Sequence, residues 1–357
     1  MSKTARLTRV VRFGDAKPDL PRNTLFHAGP PYAGEPPQAV RNTALQAAVI
    51  GGLAADTATA ARLLDEGALR LAPAQDVDLV VPLAQVVTPS MWCFEVSDGT
   101  HTTYAPISEG PPPALRFGSD DPVCVARARD WCATVAEAFN PLLAQRPLDP
   151  HALMRAALEE GDDCHARTMA GNERLLAALP GLPEALVTEI RANAGFVLCL
   201  WMAWSAWKVR ADGGALAAIG GNGQQFGIRL RGEAGWRTVD APPPVGVYFQ
   251  PDQAPQSLGA IGDSAVVDAC GFGGQALRHA PALLEEWAAV LPADAATRPA
   301  TILNPQTGVI DLDRIAASGT PPIINLAILH RNGAGAPIGR GHYCPPAALF
   351  KRGEESK

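Results

Sequence analysis

The sequence predicts an α+β fold: two mixed α/β lobes, residues 1–120 and 213–357, on either side of a helical domain, residues 121–212. Three observations carry this expectation. Residues 21–120 intersperse short β-prone runs with segments of helical spacing. Residues 121–212 show helical spacing throughout, interrupted by short Gly, Pro and Asp breaks. Residues 213–357 return to short strands and Gly/Pro-rich turns. A chain of 357 residues is long enough for two or three domains around a sizeable core.

Taken in order, the opening run MSKTARLTRVVRFGD carries Lys3, Arg6, Arg9 and Arg12 but lacks the apolar stretch of a secretory signal. It faintly resembles a transit peptide and reads as a solvated arm or as an edge strand through residues 7–13. Residues 23–28 predict a strand running into the Gly29-Pro30-Pro31 turn. Residues 38–53 and 57–66 predict helices, the second capped by Asp56 or Thr57 and stopped by Gly67. Residues 79–87 and 92–96 have β character. Asp98-Gly99 suits the positive φ angles of a type I′ hairpin turn, with residues 101–107 as the returning strand.

The Pro111-Pro112-Pro113 run then breaks regular structure. Helices follow over residues 123–137, 150–160, 168–179 and 184–193, then through the apolar run AGFVLCLWMAWSAW at 194–207. That run is shorter than the roughly 20 residues a bilayer requires, so it predicts a helix buried on most sides and no membrane span. Beyond it come a half-buried strand at 225–231, a proline-rich turn at 241–246, a short strand at 247–249, a helix at 274–289 and a strand at 323–329 ending at His330.

Composition narrows the function. Thirty basic residues stand against 36 acidic ones, a net charge of −6 with no basic run, which argues against nucleic acid as a partner. The seven cysteines are scattered and form no CxxC pair, so neither a disulfide framework nor a structural zinc site is expected. They read as buried thiols in a reducing compartment, and the expected location is the cytoplasm.

Two glycine-rich stretches, IGGNGQQFGIRL at 219–230 and IGDSAVVDACGFGG at 261–274, point to a small anionic ligand. Glycine turns allow close backbone approach, and their N–H groups can form an anion-binding concavity. Gly221, Asn222, Gly223 and Arg229 are substrate-binding candidates in the first. The first stretch precedes a strand and does not match GxGxxG, which rejects a dinucleotide fold. Asp263, Ser264, Gly273 and Gly274 are candidates in the second, with the two glycines ahead of a helix N-terminus. Cys270 lies close to that helix start, where its pKa would fall, or else it is a buried inert thiol.

A third knot, GDDCHARTMAGN at 161–172, holds the catalytic candidates. If a helix runs through it, Asp162 and His165 share a face, and His165 becomes a general acid or base oriented by Asp162 or Asp163. Arg167 would hold a carboxylate or phosphate, and Asn172 would follow on the same line. The alternative is that an aspartate caps the helix and His165 lies on its surface. Asp-x-x-His lacks a third ligand, so no metal is implied. His27, at a strand end before Gly-Pro-Pro, is a further substrate-binding candidate.

Together the segments TLFHAGPP, AAVIGGL, TPSMWCF, GDDCHARTMAGN, GGNGQQFGIRL, IGDSAVVDACGFGGQAL and PPIINLAILHRNGAGAPIGRG, in this order over residues 22–350, resemble the YlbE-like family, a domain of unknown function. The resemblance implies the same α+β fold. One branch of that family is similar to a subunit of oxamate carbamoyltransferase, from anaerobic allantoin breakdown. That enzyme converts oxalurate and phosphate to oxamate and carbamoyl phosphate, alongside two other proteins, one of them similar to an acyl-CoA synthetase.

The expected function is therefore carbamoyl transfer from a small ureido acid to phosphate. No cofactor is implied, phosphate is the co-substrate, and a synthetase-like partner and self-assembly into a homo-oligomer are expected. The alternatives are an amidohydrolase on a related substrate and a non-catalytic assembly or ligand-sensing subunit. In the last case the apolar run around Trp201, Trp204 and Trp207 would face a partner.

Overall fold

The computed structural model describes residues 4–351, so Lys3 of the basic N-terminal run lies outside the described residues. The architecture is mixed α+β, with thirteen strands among the described residues: β1 (Arg6–Arg12), β2 (Thr24–His27), β3 (Arg70–Pro73), β4 (Val86–Val87), β5 (Trp92–Ser97), β6 (Thr102–Pro106), β7 (Leu216–Asn222), β8 (Gln225–Leu230), β9 (Trp236–Asp240), β10 (Val245–Tyr248), β11 (Ile261–Gly262), β12 (Ile324–Leu329) and β13 (Pro337–Tyr343). They form four small sheets, ordered β1-β5-β6, β3-β2-β4, β11-β7-β8-β9 and β10-β13-β12. The β2–β3 pairing is parallel and the other strand pairings are antiparallel.

The basic run at residues 7–13 is indeed an edge strand. In β1 the buried residues Leu7 and Val10 face the core, while Arg6 and Arg9 face outward. Arg9 makes a two-pronged pair with Glu95 on β5, at 2.9 and 2.8 Å. The outer edge of β1 is covered: Leu7 and Leu148 exchange backbone hydrogen bonds of 2.9 and 3.2 Å, and Asn140 accepts from Val10 N–H at 2.7 Å and donates to Val10 C=O at 2.9 Å.

The hairpin between β5 and β6 departs from the expected two-residue turn. Ser97 pairs with Thr102, leaving four loop residues, and Gly99 has φ +83°. The Asp98 carboxylate accepts from the N–H groups of Thr100 and His101, both at 2.7 Å. The aspartate therefore organises the turn through its side chain.

Between β6 and β7 the chain is helical. The principal helices are Cys132–Gln145, Pro150–Glu159, Met169–Ala178, Glu184–Ala192 and Phe196–Asp212. Proline opens Pro150–Glu159 at its first turn, and Asp149 caps it by accepting from Ala152 N–H at 3.2 Å. Asp149→Ala should cost about 1 kcal/mol of stability, read as a lower midpoint in urea unfolding.

Phe196–Asp212 buries most of its surface. Trp201, Trp204 and Trp207 lie in the core and so do not face a partner, which corrects that expectation. Among the described residues no single helix is long and apolar enough to cross a membrane; Glu184–Ala192 and Phe196–Asp212 would reach that length only as a pair bent by 76°.

The expected helix at 274–289 is broken. Two 3-10 turns, Gly273–Gln275 and Leu277–His279, precede a short helix, Pro281–Glu286. Pro281 has no N–H to continue a helix from the preceding turn, so a new one starts there. Leu277, Leu283 and Trp287 still pack together in a small apolar cluster. The main apolar cluster runs through the rest of the molecule, drawing on residues from Ala5 to Phe350.

Candidate functional site

The site is built on the loop between Pro150–Glu159 and Met169–Ala178. No helix runs through it. Gly161 has φ +90°, and Cys164 is left-handed at φ +68°. Asp163 holds this shape from inside: its carboxylate accepts from the backbone N–H groups of His165, Ala166 and Arg167 at 3.2, 3.1 and 2.7 Å. The same carboxylate accepts from Asn325 Nδ2 at 2.6 Å, which ties the loop to β12. Asp162 turns the other way and accepts from Gly171 N–H at 2.8 Å, in the first turn of Met169–Ala178. An aspartate thus does serve a helix start, as the alternative reading had it, but His165 is not left on the surface.

His165 is buried, and its partner is a residue the sequence reading missed. Its Nδ1 lies 2.8 Å from Asp268 Oδ2, not beside Asp162 or Asp163. Asp268 sits on the short helix Ala265–Ala269. Its other oxygen accepts from Gly274 N–H at 2.7 Å and Asn325 N–H at 3.1 Å. Burial pushes the Asp268 pKa up, against the pull of His165 and of those donors. Burial pulls the His165 pKa down, but the charge and hydrogen bond of Asp268, with Asp163 behind, outweigh it and hold it above the usual value. A carboxylate on one ring nitrogen orients the imidazole and leaves Nε2 for chemistry.

His165 lines a cavity of about 460 Å³. Asp162, Arg167 and Ser264 line it too, as do Arg116, Leu326 and Arg340. Among the described residues the Arg167 side chain has no hydrogen-bond or ion-pair partner, and its Nε is buried without one. Arg340 is engaged in a two-pronged pair with Glu286, at 2.8 Å on both prongs. Arg116 is buried and donates to Ser108 Oγ at 2.7 Å and Gly110 C=O at 2.8 Å. Leu83 lines the same cavity with φ +49°, a conformation a leucine rarely adopts. The wall therefore sets a guanidinium without a hydrogen-bond partner, within electrostatic reach of the Asp162 carboxylate, on the same cavity as an oriented imidazole.

The glycine-rich stretches do other work. Gly273 N–H donates to Asp163 C=O at 2.7 Å and Gly274 N–H to Asp268, so neither is open to an anion. A Cβ on Gly273 would lie 2.3 Å from Asp268 Oδ1, and one on Gly274 would lie 2.2 Å from Ile323 C=O. These glycines let the backbone close around the Asp268 carboxylate. Cys270 is the inert thiol of the alternative reading: it donates to Ser205 C=O, and burial pushes its pKa up to about 12.

Asn222 accepts from Gln224 and Gln225 N–H and donates to Pro30 C=O at 2.9 Å, which satisfies it internally. A Cβ on Gly221 would meet Ala260 C=O at 2.4 Å, and Gly223 N–H donates to the same carbonyl. Arg229 pairs with Asp76 at 2.8 Å. Asn172 links three helical segments through Ile190 C=O, Asn193 C=O and Val197 N–H. His27 bonds Ala28 C=O, and burial lowers its pKa to about 4. Asp263 is fully buried, its oxygens taken by Gly29 N–H, Gln75 Nε2 and Val81 N–H. None of Asp163, Asn172, Gly221, Asn222, Gly223, Arg229, Asp263, Gly273, Gly274 or His27 lines the cavity.

The family model described as oxamate carbamoyltransferase subunit AllG matches residues 69–264, more than half of the chain. The chain belongs to the AllG family. The matched span holds the 161–172 loop and ends at Ser264, four residues before Asp268. Two Escherichia coli K12 proteins are similar over almost the whole of this AllG-family chain. The uncharacterized protein YahG is 30% identical, with 94% of this chain and 79% of that protein covered. Oxamate carbamoyltransferase subunit AllG is 28% identical, with 93% and 88% covered. A crystal structure of a conserved protein of unknown function from Enterococcus faecalis V583 superposes with a TM-score of 0.86 at 26% identity, covering 97% of this chain and 92% of that one.

A cue to Asp268 was present in the sequence: one carboxylate inside the apolar run AVVDAC, between two glycine turns. A charge placed there must be paired or hydrogen-bonded. Its partner, 103 residues away, follows from no local pattern. Among the described residues no group of three or more His, Cys, Asp or Glu side chains is placed to hold a metal ion.

Proposed function

We propose that this protein transfers a carbamoyl group from a small ureido acid to phosphate, as one subunit of a larger assembly. The observation that carries the reading is one cavity wall bearing both the His165–Asp268 pair and the Arg167 guanidinium, which has no hydrogen-bond partner among the described residues. AllG-family membership, and a relative named as an oxamate carbamoyltransferase subunit, supply the reaction class.

A phosphate oxygen attacks the carbamoyl carbon, and the bond from that carbon to the nitrogen of the acid breaks. The electron pair goes to the nitrogen, which takes a proton from His165 Nε2. The products are carbamoyl phosphate and the amide of the acid. An imidazole whose pKa is held up by Asp268 keeps its proton for this step. Arg167 holds the substrate carboxylate or the phosphate in two-pronged fashion.

The test is carbamoyl phosphate formation from oxalurate and phosphate, by the chain alone and together with a synthetase-like partner. Product that forms only with phosphate supports transfer. Phosphate-independent breakdown of oxalurate assigns hydrolysis instead, and no turnover in either setting overturns the reading. Arg167→Gln should weaken binding of phosphate or oxalurate about tenfold in calorimetry. Unchanged affinity would remove Arg167 from the site.

A further inference from the structure

A second cavity, of about 230 Å³, shares no lining residue with the first. Its walls include His151, Trp204 and Phe272. The rings of His151 and Trp204 stack at 4.8 Å and 4°, and Phe272 meets both edge-on. Lys208 and Arg278 line the same space, and no aspartate or glutamate does. Lys208 also pairs with Asp212, while the Arg278 Nε donates to His279.

We propose that this second cavity binds a small planar anion, separately from the His165 site. The aromatic wall takes the flat face of the ligand, and the two cations set the sign of its charge. The ligand class is a carboxylate on a flat aromatic or amide framework.

Benzoate is the probe, titrated into the full chain by calorimetry and followed on the indole N–H signal of Trp204, assigned with Trp204→Phe. The expected result is saturable one-to-one binding that moves this signal. Cyclohexanecarboxylate, equally charged but not flat, and benzamide, flat but neutral, should each bind about fivefold more weakly. Arg278→Gln, on the surface and safe for folding, should weaken benzoate by a similar factor, whereas Arg167→Gln in the first cavity should leave it unchanged. No saturation of folded protein by about 10 mM benzoate overturns the proposal. So does equal binding of the non-planar acid, or binding lost with Arg167→Gln and kept with Arg278→Gln.

Discussion

His165→Ala should lower turnover by about 10²- to 10⁴-fold while leaving the fold intact, as read from steady-state kinetics and a retained circular dichroism spectrum. The side chain contacts the cavity and Asp268, so its removal deletes the proton donor and leaves Asp163 to hold the loop backbone. Asp268→Asn separates positioning from chemistry. The amide keeps the size of the carboxylate but not the charge that raises the imidazole pKa.

If the reaction uses protonated His165, the rate falls as pH rises through that raised pKa. In Asp268→Asn this alkaline limb should move to lower pH. Linkage gives the same sign for stability: a raised histidine stabilises the fold fully below its unfolded pKa, about 6.5, and that contribution is lost as pH rises through the folded value. A folded His165→Ala protein with wild-type turnover would remove the residue from the mechanism. An alkaline limb unmoved by Asp268→Asn would leave Asp268 a purely structural role.

Asp263→Ala should be the most damaging single change to stability outside the apolar core, costing about 3–5 kcal/mol in denaturant unfolding. The carboxylate joins three separate segments by accepting from Gly29 N–H at 2.9 Å, Gln75 Nε2 at 2.6 Å and Val81 N–H at 2.9 Å. Alanine leaves the Gly29 and Val81 N–H groups buried without an acceptor, while Gln75 Nε2 keeps Ile219 C=O at 2.9 Å.

The cost also carries a pH signature. Burial pushes the Asp263 pKa up to about 7, against the pull of those donors. The folded state therefore holds a proton that the unfolded chain has released above about pH 4. The stabilising contribution of the group falls as pH rises from about 4 to about 7 and is level above that. The difference between wild type and Asp263→Ala should be larger at pH 5 than at pH 8. Equal differences at both pH values would show that Asp263 stays ionised throughout.

Local patterns made much of this molecule legible. The helices at Gln38–Ile50 and Thr57–Asp65, the Asp56 cap with Thr59 N–H at 2.7 Å, and the series of helices from residue 123 to 212 follow from spacing and capping. So does the burial of Phe196–Asp212, because an all-round apolar helix has no face to give to water. Strands β3, β9, β11 and β13 were not read, nor β7 beneath the Ile219–Asn222 glycines. Short strands rich in glycine or arginine are stabilised by their neighbours more than by their own residues.

The sequence by itself determined the mixed α+β composition, the helical stretch between β6 and β7, and four residues that share the cavity: Asp162, His165, Arg167 and Ser264. Tertiary structure alone decided what those residues do. It supplied Asp268 as the partner of His165, directed Asp163 into its own loop, and turned the N–H groups of Gly273 and Gly274 inward. The physical reason is one of range. Propensity, capping and periodicity act within a few residues, whereas a buried carboxylate is paired by whatever donor the packed fold brings within hydrogen-bond reach.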